Sequence, residues 1–108
     1  MNQCKIEGAG EFALVRVSGE VDLSWSQQVR KAILEALGNS KVVGVELSQV
    51  TYMDSSGIAA LVEGFQTARA KGLKFALVAA SAPVRSVLSL ARLDKVFPMV
   101  DSAEAAKA

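Results

Sequence analysis

The sequence predicts an α/β fold, one domain built around a small, largely parallel sheet. Segments of strand character alternate with segments of 3.6-residue periodicity along all 108 residues. The connections between them are short, and parallel neighbours need crossovers, which the helical segments supply. The run Val42–Leu47 is apolar on both faces, as a strand covered on both sides is. The units are too few for an eight-unit barrel.

The first strand of the main sheet is Phe12–Val17, ended by Ser18-Gly19, with Lys5-Ile6-Glu7 pairing to it as a hairpin across Gly8-Ala9-Gly10. From Ser24 the period changes: Val29, Ala32, Ile33, Ala36 and Leu37 make one apolar helical stripe. Asp22 or Ser24 caps its start and Gly38-Asn39 offers a left-handed stop. Val42–Leu47 follows, then a polar turn at Ser48-Gln49, then Val50–Met53 leading to Asp54-Ser55-Ser56-Gly57. Ile58, Leu61, Val62, Phe65 and Ala68 form the stripe of a second helix ending at Gly72, and Leu73–Val78 is the next strand. Pro83 suits a helix's first turn, continued by Val84, Val87, Leu88 and Ala91. Val96-Phe97, before Pro98, reads as a short edge strand. Ser102–Ala108 reads as a short, frayed terminal helix.

Composition removes whole classes of chemistry. Apolar residues make up 51% of the chain and charged ones 21%, the proportions of a folded domain. Twelve basic residues against eleven acidic ones leave a net charge of +1, which gives no footprint for nucleic acid or an anionic membrane. With no histidine, His-based triads and metal sites drop out, and the single Cys4 excludes internal disulfides and zinc clusters. Neither GxGxxG nor a phosphate loop ending in Gly-Lys-Ser/Thr occurs. No apolar run approaches the ~18 residues of a membrane span, and the first ten residues lack a signal peptide's apolar core. The expectation is a cytoplasmic, non-enzymatic domain without cofactor or metal, inserted in no membrane. A homodimer through an edge strand such as Phe12–Val17 stays open.

Function in open α/β sheets concentrates where a strand's carboxyl end meets the next helix. Here that place is Asp54-Ser55-Ser56-Gly57. A plain N-cap accounts for Asp54, Ser55 or Ser56. Yet no Glu or Gln stands three residues after either serine, and the first turn carries no acid to meet the helix dipole. A phosphate on a hydroxyl at this mouth is therefore the functional reading, held by backbone N–H groups beside Asp54. Ala60, Gly64, Thr67 and Lys71 line up away from the apolar stripe. That row of small residues suits either a neighbouring helix or another protein.

Three stretches resemble the STAS domain family. Ser18-Gly19-Glu20-Val21-Asp22 before a helix is similar to its opening motif, and Val45–Ile58 to its central signature. Val87–Phe97 is similar to its closing helix and edge strand. The resemblance runs over nearly the whole chain and is closest to stand-alone bacterial anti-sigma factor antagonists. It implies one STAS-like domain over 1–108, a mixed, mostly parallel sheet with amphipathic helices mainly on one face. It also implies phosphorylation of Ser55 by an anti-sigma factor that is itself a serine kinase, and reversal by a serine phosphatase. Asp54, Ser56 and Gly57 would form the phosphosite environment, and Ile58, Ala60, Leu61 and Gly64 the partner-binding surface. Stand-alone members also serve as accessory subunits of lipid-transporting ABC systems or in other partner-switching pathways, which is the alternative. A small-nucleotide-binding module is a third.

Overall fold

The computed structural model describes residues 2–107, and Ala108, the end of the expected terminal helix, lies outside them. Five strands form one sheet in the order β1-β2-β3-β4-β5: β1 (Gln3–Ala9), β2 (Phe12–Val21), β3 (Val42–Met53), β4 (Lys74–Val78) and β5 (Met99–Val100). Four helices alternate with them: α1 (Leu23–Asn39), α2 (Ser55–Lys71), α3 (Ala82–Leu90) and α4 (Ala103–Lys107). The β1–β2 hairpin is antiparallel, and every later pairing is parallel. Because β2 to β5 lie side by side in chain order, right-handed crossovers put α1, α2 and α3 on one face.

The main core lies beneath those helices, where Val15, Val17, Val43, Val45, Leu47 and Leu77 of the sheet meet Val29, Ile33, Leu61 and Leu88. A smaller cluster on the other face holds Leu14, Ala76 and Val78 against Ala106 of α4. Mixed sheet and one-sided helices therefore agree with the expected fold.

Several boundaries differ from expectation. β2 does not stop at Ser18-Gly19: it runs to Val21, with Gly19 at φ 89° absorbing an irregularity that a residue with a side chain resists. Opposite it, Ser48-Gln49 is no turn. The step from Arg16↔Glu46 to Ser18↔Gln49 carries one extra residue on β3, a bulge. Glu46 stabilises it by accepting from Ser48 Oγ (2.8 Å) and the Ser48 N–H (3.2 Å).

β2 is an interior strand, so the edge on its side of the sheet belongs to β1 and the other to β5. Gly38 and Asn39 stay helical. Asn39 Nδ2 donates to the Glu35 carbonyl (3.0 Å), and an extended Ser40 ends α1. Gly72, at φ 70°, is the left-handed cap of α2. The last strand is Met99–Val100, after Pro98, because Phe97 turns inward to stack with Phe65 at 5.4 Å.

Candidate functional site: paired helix mouths at the carboxyl edge of the sheet

β2 and β3 end side by side, with Val21 paired to Met53, and each runs into a helix through an Asp-x-Ser cap. Asp22 Oδ1 accepts from the Ser24 N–H (3.0 Å) and from Ser24 Oγ (2.6 Å). Asp54 Oδ1 accepts from the Ser56 N–H (2.9 Å) and from Ser56 Oγ (2.6 Å). The two caps have almost the same backbone, φ −106° and ψ −173° at Asp22 against φ −108° and ψ −170° at Asp54. The aspartates are thus the N-caps, and α2 starts at Ser55, earlier than the expected Ser56-Gly57.

The two serines differ in what their hydroxyls touch. The Ser56 hydroxyl is spent on the cap. Ser55 occupies the first helical position, exposed, and no hydrogen bond engages its hydroxyl among the described residues. The corresponding position of α1 is Leu23, 73% exposed, and Tyr52 at the end of β3 is 48% exposed. Leu23 and Tyr52 are thus large exposed side chains at the same carboxyl ends of β2 and β3 from which this serine follows.

The helix mouth is also less open than the sequence suggests. Asp54 takes three first-turn donors: its carboxylate the Ser56 N–H, and its carbonyl the N–H groups of Gly57 and Ile58 (both 3.1 Å). A phosphate on Ser55 would find those donors occupied and a carboxylate beside it, so it would project into solvent rather than settle into the helix end.

The Ser56 hydroxyl holds the Asp54 carboxyl below the ordinary aspartate range, helped by backbone N–H groups and opposed by burial. A lowered folded-state value means that the cap's contribution is complete above the ordinary range and is lost as pH falls through the folded value. Denaturant unfolding of the parent should therefore weaken more steeply than that of Asp54→Asn below about pH 4. Parallel curves would show that the carboxylate contributes nothing.

Ile58, Ala60 and Leu61, expected on a docking surface, are only 7%, 4% and 0% exposed. Gly64 is buried as well, and a Cβ there would lie 2.6 Å from Ile33 Cγ2 of α1. The small residues let α1 come close, and the Arg30–Glu63 ion pair (2.8 Å) joins the same two helices. The surface that continues from Ser55 along α2 is instead Ala59, half-buried Val62 and Gln66, at i+4, i+7 and i+11. The sequence carried that row too, but nothing in it marked which side α1 would cover.

Cys4 packs on the core side of β1, where burial pushes its thiol up to about 11, leaving no thiolate at neutral pH. Among the described residues no three His, Cys, Asp or Glu side chains converge on a metal site, and no helix is long and apolar enough to cross a membrane.

Known proteins share this fold. The STAS domain matches residues 3–106. The Paenibacillus polymyxa anti-sigma F factor antagonist is 29% identical over 102 residues, covering 93% of this chain and 87% of that protein. The crystal structure of an anti-sigma factor antagonist from Mycobacterium paratuberculosis superposes with a TM-score of 0.85 at 26% identity, covering 98% of this chain and 91% of the other. SpoIIAA, the Bacillus cell fate determinant, solved in its phosphorylated form, gives a TM-score of 0.73 at 23% identity, with 98% and 96% covered. The match over almost the full length, on a fold whose strand ends present this serine, places the chain in the STAS domain family.

Proposed function

We propose that this protein is a phosphorylation-regulated interaction switch, an anti-sigma factor antagonist. It binds an anti-sigma factor serine kinase while Ser55 is free and is released once Ser55 is phosphorylated. The observation that carries this is the division of labour between the serines: Ser56 Oγ is bound to Asp54 at 2.6 Å, whereas Ser55 is exposed and uncommitted. The names of the relatives support the antagonist role, and one of them is known in a phosphorylated form.

In this reading the chain is a substrate and partner rather than a catalyst. Ser55 Oγ attacks the γ-phosphorus of ATP held by the kinase, its proton passes to a base on the kinase, and ADP leaves. A serine phosphatase hydrolyses the ester and restores the hydroxyl. In this reading the exchange takes place in the cytoplasm, where ATP is at hand. Docking involves Ser55, Leu23, Tyr52, Ala59, Val62 and Gln66, with the two large apolar side chains as anchors. A homodimer formed along the sheet's edge would leave this end of the sheet accessible.

The test is intact-mass and site-mapping mass spectrometry on the protein isolated from its host and after incubation with serine kinases of the same genome. One phosphate on Ser55 is expected. Phosphate on Ser56, or none with any kinase, would exclude this site as the switch.

A further inference from the structure

β1 is the long edge strand of the sheet, opposite the two-residue edge strand β5, and its only protection against pairing is the charge of Lys5 and Glu7. It contains no proline, and its seven residues pair with β2 without a bulge, from Gln3↔Ser18 to Ala9↔Phe12. Its charges have an unusual arrangement. On the polar face Arg16 is satisfied from both sides, by Glu7 at 2.8 Å and Glu46 at 3.6 Å. Lys5 sits directly across from that same Arg16, a like charge, and has no ion pair among the described residues.

We infer that β1 pairs antiparallel with β1 of a second copy of this chain, centred on Ile6, to make one continuous sheet across two protomers. The register follows from charge. A two-fold axis through the seam places one residue opposite itself. Centring on Lys5 or Glu7 sets like charges face to face, and centring on Cys4 sets Lys5 against Gln3. Centring on Ile6 sets Lys5 of each copy against Glu7 of the other.

The row across the sheet then reads Glu46, Arg16, Lys5 and the second copy's Glu7, so that the pair of cations is flanked by carboxylates on both sides. On the helix side, half-buried Ile6 meets its own copy and loses its remaining contact with water. Cys4 falls opposite Gly8, and the two thiols lie four positions apart along the seam. At ~3.3 Å per residue that is about 13 Å, too far for a disulfide.

Sedimentation velocity on the full chain, from low micromolar to the highest soluble concentration, should show a reversible second species of about twice 11.4 kDa. Lys5→Glu places like charges across the seam and should raise the dissociation constant about tenfold or more. Adding Glu7→Lys restores opposite charges and should return it to within about threefold of the parent. Diamide should produce no Cys4–Cys4 cross-link. The inference is overturned by a parent that stays monomeric at every concentration, by Lys5→Glu dimerising as the parent does, or by a cross-linked Cys4 pair. The parent series requires no variant to fold, and none of these outcomes depends on Ser55.

Discussion

Ser55→Asp should lower affinity for the anti-sigma factor serine kinase by on the order of 100-fold, about 2.7 kcal/mol, while leaving the melting temperature unchanged or slightly raised. The two halves of that expectation have different causes. The fold tolerates the change because Ser55 is exposed at the first position of α2, where an acid faces the positive end of the helix dipole. Binding should not tolerate it, because Asp54 already takes the N–H groups of Ser56, Gly57 and Ile58, and the new charge would point outward into the proposed partner. A real phosphate carries roughly −1.5 to −2 charges and should act more strongly than the aspartate. Ser55→Ala should bind as the parent does and stay bound when ATP is added. Ser56→Ala should remain phosphorylatable, since its hydroxyl serves only the cap. Calorimetric titration of the kinase with the two Ser55 variants, with and without ATP, checks the binding, and intact-mass spectrometry after ATP checks Ser56→Ala. A Ser55→Asp protein that binds with parental affinity would remove this serine from the mechanism.

Much of this was legible in the residues. Alternating periodicities gave the order of strands and helices, and Gly72 marked the end of α2; the hairpin was expected too, but its turn is Gly10-Glu11, because Gly8 and Ala9 still pair with Ala13 and Phe12. The site's location followed from one rule about strand ends. What stayed hidden was non-local. Ser18-Gly19 and Ser48-Gln49 have the composition of turns, yet facing each other across β2 and β3 they accommodate a bulge, and only the partner strand reveals that. The sequential strand order, which sends α1, α2 and α3 to one face, is likewise a property of pairing rather than of any segment. The burial of Ile58, Ala60, Leu61 and Gly64, expected on a docking face, has the same cause. Periodicity fixes the angle between Ala59 and Ala60 on α2, but not which of them a neighbouring helix will cover. The sheet lies on one side of α2 and α1 on another, so the buried arc is wider than the apolar stripe and takes in Ala60 and Gly64.

That wider arc leads to an expected contrast between two glycines. Gly38→Ala in α1 should stabilise the protein by about 0.5–1 kcal/mol, because alanine loses less backbone entropy in a helix. Gly38 is exposed, and nothing lies within 4 Å of the added Cβ. Gly64→Ala in α2 gains the same propensity and should still destabilise. Its Cβ would lie 2.6 Å from Ile33 Cγ2 and 3.2 Å from Phe75 Cε1, in contact with a fully buried branched side chain that has no free direction to move. Overpacking of this kind costs about 1–3 kcal/mol, so the clash outweighs the propensity gain by up to about 2.5 kcal/mol. For a domain of this size each kcal/mol corresponds to about 4–8 °C in melting temperature, and the two variants should therefore move in opposite directions by amounts a thermal melt resolves. If Gly64→Ala rises as Gly38→Ala does, α1 and α2 have room to spare, and the row of small residues is not what sets their approach. If it falls, the spacing of the two helices is fixed by Gly64, and with it the spacing of the paired mouths at Leu23 and Ser55.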